Sequence, residues 1–446
     1  MSQLQIYVTV AVFLAVILAI ALNLIDMAVA ALTGVCLLIA LGILTEQDLI
    51  AATRTSAGPL GLLFGGMVVA RILATTGIFE VVGDAYLRAT GGSGKRFLFL
   101  LILLVAPVCA FLPNATTVIL LAPIIVRVCI ALEADYVGPM VLTAIISNSA
   151  GLLTLVGDPA TFLVGSSIGM TFSQYLQRVS LGGVMAILVI VPMLPWLMRD
   201  LWNMQRTLPP PLRGKRLERP VYAALAVAVL LLMVALFVFG EHLPTHIVPP
   251  AAAVIASALA LLVGFAARVE PTENVLRDVD WKTLVFLASI FCLVEAMVKT
   301  GLLQTLAIKL YEVFGNALTP VALTLIVSIA LLSSVLANVP VAAASIVMVK
   351  GYLIMAEVVP DTAMAAHFSQ WPAASIPVFV GMMFGATLGG NATVVGASAN
   401  IVAAGICARQ GTPLTFGTFL RYGLPITVAQ LAASAIYVLV MFALLP

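Results

Sequence analysis

Ten apolar runs in the chain are long enough to cross a bilayer, and two further apolar regions are interrupted near their middles. The ten runs are 4–22, 27–44, 58–75, 138–168, 179–198, 221–240, 247–267, 283–299, 376–408 and 424–445. About 20 apolar residues in a helix cover the hydrocarbon core. Backbone polar groups in lipid must pair within their own segment, which leaves helices as the spanning element here. The sequence therefore predicts an all-α, multi-pass protein of the plasma (inner) membrane, with lipid as its first partner. With 9% charged residues, against roughly 25% in soluble proteins, the chain could not cover itself for water.

Several function classes drop out. The net charge of +2 gives no footprint for nucleic acid. Cys36, Cys109, Cys129, Cys292 and Cys407 have no metal or redox spacing and read as small buried hydrophobes. His242, His246 and His367 form no metalloprotease or triad pattern. "GGSGKR" at 91–96 lacks the first Gly and the Ser or Thr of a phosphate loop and reads as a turn. No enzyme, cofactor or resident metal is expected. ATP-driven transport would need a separate ATPase subunit. "MSQLQIYV" lacks the basic n-region of a signal peptide, so 4–22 is read as a retained span.

The interrupted regions, 97–132 and 320–349, read as re-entrant hairpins that enter and leave on one side. The stretches 77–93 and 301–316 carry spaced charges and read as interfacial amphipathic helices. The longest polar stretch, 199–220, holds six Arg and Lys residues and is placed in the cytoplasm by the positive-inside rule. Threading from it puts both termini outside and 16 basic residues inside against 5 outside.

The chain also repeats itself. "TTGIF" (75–79) is echoed by "KTGLL" (299–303), and "PNATT" (113–117) by "ANVPV" (337–341), both at an offset of 224 (301 − 77 and 338 − 114). "TLVGDPAT" (154–161) is echoed by "TVVGASAN" (393–400), and "MTFSQYL" (170–176) by "LTFGTFL" (414–420). This divides the chain into a first repeat, 1–198, a cytoplasmic linker, 199–220, and a second repeat, 221–446. Five crossings and one hairpin per half is an odd number of crossings, so the second copy is inverted. Inverted repeats with paired broken segments point to a secondary transporter.

Breaking a helix at membrane depth frees amides and carbonyls, and half-helix ends bring their dipoles to the midplane. Asn114, Thr116 and Thr117 stand at the first hairpin break and Asn338 at its counterpart. The glycine-rich breaks at 147–165 and 388–405 add Asn148, Thr154, Asn391, Thr393, Ser398 and Asn400. These ten are the expected solute-binding residues. Gly381, Gly385 and Gly389 read as a helix-packing face. Asp158 is an acid inside an apolar segment, a functional signal in lipid. It could carry a proton, coordinate a cation, or cap the half-helix that starts at Pro159. Its repeat partner is Ala397, so titration would belong to one half. Glu295 is expected to pair locally with Lys299.

Through "LVGDPATFLVG", "ANVPVAAA" and "LGGNATVVGASANIVAAGI" the chain resembles the ArsB/NhaD/P-protein permeases of the ion transporter superfamily over nearly its whole length. "LPNATTVILLAPI" is more distantly similar to a hairpin motif of sodium–dicarboxylate carriers. The resemblance implies an elevator-type carrier with a substrate site between the broken segments, often as a homodimer. Dicarboxylate carriers have Ser-Asn-Thr at both tips. Here the tips read Pro113-Asn114-Ala115-Thr116 and Ala337-Asn338-Val339-Pro340, with no Arg or Lys at any break. A neutral polar solute or a cation suits that setting better than a multiply charged anion. The leading expectation is arsenite or antimonite efflux in exchange for protons, with Asp158 as the coupling group. A Na⁺/H⁺ antiporter, an organic-anion permease and a channel are the alternatives.

Overall fold

The structure, a computed structural model, describes residues 3–21, 24–207, 217–364, 368 and 370–444. Among them the regular elements are helices, joined by one isolated bridge between Ser93 and Gln205. Arg213, Lys215 and Arg216 of the linker, and His367, lie outside the described residues.

The first half opens with α1 (Gln3–Ala21), α2 (Met27–Ala40) and α3 (Glu46–Ala74). Local chemistry sets their starts. Asp26 accepts the Ala28 N–H at the head of α2, and Thr45 with Asp48 forms a capping box on α3. Next come α4 (Ile78–Thr90), then the hairpin of α5 (Gly94–Cys109) and α6 (Asn114–Ala131). The broken pair α7 (Val137–Ala150) and α8 (Pro159–Ser167) follows. The half ends with α9 (Phe172–Arg178), α10 (Ser180–Leu188) and α11 (Leu194–Leu197), and α12 (Arg199–Trp202) opens the linker. The expected span 179–198 is present as Ser180–Leu197, with a short 3-10 turn where Pro192 and Pro195 remove backbone donors.

The second half repeats this order. It holds α13 (Pro220–Phe239), α14 (Pro249–Ala267), the short α15 (Thr272–Arg277), α16 (Trp281–Lys299) and α17 (Leu302–Phe314). The second hairpin is α18 (Leu318–Ser333) and α19 (Asn338–Met355), and the second broken pair is α20 (Ile376–Gly389) and α21 (Ser398–Arg409). The chain closes with α22 (Phe416–Leu444). The starts of α17, α18 and α19 each fall 224 residues after those of α4, α5 and α6 (302 − 78, 318 − 94, 338 − 114). The starts of α20 and α21 fall 239 after those of α7 and α8 (376 − 137, 398 − 159). Helices α4 and α17 are each entered through a left-handed glycine, Gly77 at φ 75° and Gly301 at φ 79°, which a side chain would strain.

Nine helices among the described residues are long and apolar enough to cross a membrane. Two of them, α6 and α19, are hairpin arms. The short α2 and the pairs α7–α8 and α20–α21 supply the remaining expected crossings. Glycines draw the helices together: Gly381, Gly385 and Gly389 lie on the backbone of α18 at Ala322, Ile326 and Ala330. The "GGSGKR" turn is also explained. A Cβ at Gly92 or Gly94 would fall 1.7 Å from the carbonyl of Arg206 or Leu201, where the linker docks on the base of the first hairpin.

The ion pairs fit the threading. Arg71 with Glu270 and Asp278, Arg127 with Asp84, Arg206 with Glu133, and Lys282 with Asp26 all join residues assigned to the inside. Lys299 with Asp48 joins two assigned to the outside. That last pair corrects an expectation: Lys299 reaches across to α3 rather than to Glu295 on its own helix, because Asp48 offers a carboxylate already fixed by the Thr45 hydroxyl and amide. The Lys282 ammonium bonded to Asp26 holds that carboxyl below its ordinary value.

Candidate solute-binding site

Four helix starts converge near the middle of the molecule. Helices α6 and α19 begin at the hairpin tips, and α8 and α21 begin at the two glycine-rich breaks. Each break folds back on itself through a glycine pair. A Cβ at Gly157 would meet the Gly151 carbonyl oxygen at 2.8 Å, and one at Gly396 the Gly390 oxygen at 2.6 Å. Each break also grips the hairpin of its own half. The Thr154 hydroxyl donates to the Ala110 carbonyl, and the Thr393 hydroxyl to the Ser334 carbonyl. These two contacts are repeat equivalents.

Asp158 sits at the centre, 3% exposed. It is the N-cap of α8 and accepts the Ala160 N–H at 3.1 Å. It also accepts Asn114 Nδ2 at 3.1 Å, and Asn338 Nδ2 at 3.1 Å and 3.3 Å on its two oxygens. One carboxylate thus ties the tips of both hairpins to the first break. The Val339 N–H donates to Asn338 Oδ1 at 3.0 Å, which fixes the orientation of that amide. Asn114 Oδ1 is buried without a partner.

A cavity of about 80 Å³ opens beside this cluster. Asn114, Asp158, Asn338, Ser398 and Thr283 supply its polar wall, and α1, α2, α3 and α16 supply apolar side chains such as Ile17, Met67 and Phe286. Among the described residues no Arg, Lys or His lines it.

The remaining expected residues stand behind that wall. Asn148 donates to the Thr387 carbonyl at 2.7 Å and to Asn391 Oδ1 at 3.0 Å. Asn391 donates to Ser149 Oγ and to Gln430 Oε1. Asn400 holds the second break closed through the carbonyls of Gly390 and Thr393, both at 2.8 Å. Thr154 and Thr393 clamp the tips, Thr117 is fully buried, and Thr116 lies half-buried off the cavity wall. Sequence reasoning passed over Gln430, which also donates to Ser149 Oγ and the Ala186 carbonyl at 2.8 Å each. Its signal was a lone amide in the apolar α22. It passed over Ser147 as well, which donates to the Asn114 carbonyl at 3.0 Å.

Residues 13–368 match the family model described as the citrate transporter, CitMHS. The chain belongs to that family. It is 40% identical to an uncharacterized transporter of Synechocystis over 96% of this chain and 95% of that one. It is 26% identical to the human P protein over 85% of its own length, spanning 53% of that longer chain. Its fold is similar to that of the YdaH transporter of Alcanivorax borkumensis, a structure described as having an unusual topology. The TM-score is 0.59 at 14% identity, covering 89% of this chain and 87% of that one. The protein is thus a multi-pass secondary transporter of the ion transporter superfamily, in line with the resemblance seen in the sequence.

Proposed function

We propose that the protein exports a small, uncharged, hydroxylated solute, arsenite or antimonite, in exchange for protons taken up at Asp158. One observation carries this reading: the cavity has a carboxylate and two carboxamides on its wall and no cationic side chain. Arsenite and antimonite are largely undissociated hydroxides at neutral pH, so they present O–H donors and oxygen acceptors without a charge for Asp158 to repel. The volume suits them, since about 80 Å³ holds roughly five waters at 15 Å³ each. Asn114, Asn338 and Ser398 would touch the solute. Asn148, Asn391, Asn400, Thr154 and Thr393 would keep the breaks in shape, with Thr116 and Thr117 on the first turn of the hairpin arm.

In this reading 1–198 and 221–446 are the two halves, joined by 199–220. The hairpins and broken pairs move as an elevator against α1–α3, α13, α14 and α16. Loading of Asp158 by a proton would loosen its hold on both tips at once, which couples the proton to the movement.

The family description favours a second reading, citrate. A tricarboxylate in this cavity would face Asp158 with no Arg or Lys to offset it, so it would have to enter with a cation bound. Proteoliposomes separate the two. Arsenite accumulation driven by an acidic lumen, with citrate inert, supports the first reading. Accumulation of citrate that depends on added Mg²⁺, with arsenite inert, sinks it.

A further inference from the structure

The cavity beside Asp158 has a twin. A second, much smaller cavity of about 10 Å³ is walled by Leu62, Phe111, Pro113, Val156, Pro159 and Phe237, among others. Moving each of these by its repeat offset gives a residue on the wall of the first cavity. Leu62 becomes Phe286, Phe111 becomes Val335 and Pro113 becomes Ala337 (286 − 62, 335 − 111 and 337 − 113, each 224). Val156 becomes Val395 and Pro159 becomes Ser398 (395 − 156 and 398 − 159, each 239). Helix α13 begins 217 residues after α1 (220 − 3). At that step Ile20 of the first cavity becomes Phe237 of the second (237 − 20). The two cavities are one chamber built twice, once by each half.

They lie toward opposite sides of the membrane and differ in size. The larger reaches the inner ends of its helices at Ile20, Met27 and Thr283, beside the Asp26–Lys282 pair. The smaller lies against Met233 and Phe237, near the outer end of α13, which leaves the cytoplasmic linker at Pro220 and ends at Phe239. At about 10 Å³ it has room for one water at most. An aromatic stack stands beside it. Phe237 is 1% exposed and lies on Phe172, with ring centroids 6.4 Å apart and planes at 27°. Phe172 opens α9, directly after the broken pair α7–α8. In the second half the echoed motif puts Phe416 in the place of Phe172, and Phe416 is 52% exposed. The outer ring is packed away and the inner one is bare.

We infer that the small cavity is the external half of the solute route, latched shut in this structure by Phe237 on Phe172. Phe416 is the matching latch on the cytoplasmic side, and it closes against the end of α1 when the outer latch opens. The chemistry suits a contact between sliding parts. Phe237 stands on the frame, and Phe172 follows the part proposed to move. Separating two rings exposes apolar area but strands no buried donor, acceptor or charge. A polar latch at this depth would leave unpaired groups each time it opened. The inference rests on the movement proposed above and not on the identity of the cargo, so its test uses no solute.

Leu62→Cys places a thiol in the outer cavity, and Phe286→Cys places one at the equivalent point of the inner cavity. The full-length protein in right-side-out and inside-out membrane vesicles is treated with an impermeant maleimide. Mass spectrometry of the labelled peptide separates these thiols from the native cysteines. Leu62→Cys is expected to react from outside about tenfold more slowly than Phe286→Cys does from the cytoplasmic side. Adding Phe237→Ala or Phe172→Ala should raise the outside rate at Leu62→Cys several-fold and lower the cytoplasmic rate at Phe286→Cys, since one state gains what the other loses. Phe237→Leu keeps apolar bulk and loses the stack; it serves should the alanine variants fail to fold, and a smaller rise is expected from it. An unchanged outside rate at Leu62→Cys would overturn the latch. A rise at both cysteines would mean general loosening and would overturn it too. Leu62→Cys reacting from the cytoplasmic side alone would show that the small cavity is no external route. Absence of arsenite transport would sink the proposed cargo and leave each of these outcomes readable.

Discussion

Replacing Asp158 with Asn separates three roles of this carboxylate: proton carrier, cation ligand and helix cap. Its structural cost can be worked from the bonds. The carboxylate accepts from Asn114, Asn338 and Ala160. An Asn keeps one acceptor oxygen, which can stay on the Ala160 N–H as the cap. Its new NH₂ then takes the place of Oδ1, facing the amide nitrogen of Asn114, while Asn338 keeps its 3.1 Å bond to the retained oxygen. The Asn114 amide can turn round to accept, since its Oδ1 has no partner. The loss is then the 3.4 Å bond to Asn148 Oδ1, about 0.5–1.5 kcal/mol. Asp158→Ala would strand both the Asn338 amide and the Ala160 N–H, at about 2–6 kcal/mol. Removing a buried charge offsets part of either figure, so the Asn variant is expected to fold. In proteoliposomes it should lose arsenite accumulation driven by an acidic lumen. It should keep arsenite exchange at equal concentrations and equal pH. Wild-type accumulation by Asp158→Asn would refute proton coupling at this residue and leave it as a cap. Loss of both modes in a folded protein would make it a ligand to the cargo or to a cation.

Asn114→Ala and Asn338→Ala should each abolish transport while shifting the detergent melt by only about 0.6–1.7 kcal/mol, the range for interhelical hydrogen bonds in membrane proteins; failure to fold would make that residue a brace. Gln430→Leu removes bonds to Asn391, Ser149 and Ala186 and should cost about 1–3 kcal/mol with the arsenite KM unchanged, as judged by melting and initial rates. Gly157→Ala and Gly396→Ala should damage folding to a similar degree, by about 1–3 kcal/mol or more, since each Cβ meets backbone; a well-folded variant would show that the break can open. Asp26 has a folded pKa below its unfolded value of 3.8, so its contribution is full above that value and is lost as pH falls below it. Asp26→Asn should therefore flatten the acid limb of a melting-temperature curve and leave the neutral limb parallel to the wild type.

The fold was legible because lipid leaves few options. Apolar run length fixes a crossing, and a broken run must be excused by protein or water around it. The repeat offset of 224 is visible in two short motif pairs, and the starts of α17, α18 and α19 fall on it. The site was legible in outline: Asn114, Asn338 and Asp158 do meet. What sequence could not separate was contact with the cavity from support behind it. Asn148, Asn391 and Asn400 have the same chemistry as Asn114 and the same kind of setting, and only packing turns them towards carbonyls and one another. Gln430 was missed for a related reason, since one polar residue in α22 gives no sign of reaching α7 and α10. The Lys299 pairing failed because spacing on one helix says nothing of Asp48 arriving from another.

The two halves share features that build the shape: the glycine pair that folds each break, the threonine that clamps each tip, the left-handed glycine before α4 and α17. They also share one asparagine at each tip, Asn114 and Asn338, on the cavity wall. Each half needs the first three to build the same shape. Some of the features that differ lie beside the cavity. Asp158 faces Ala397 across the repeat, and Pro159 is matched by Ser398. A site built from identical halves would have equal polarity at both ends and would suit a symmetrical ion. This one has a capping carboxylate at the start of α8 and no side-chain cap at the start of α21. It also places Asp158 where the tips of both hairpins bond to it, which is why a proton taken up there, as proposed, would act on both halves at once.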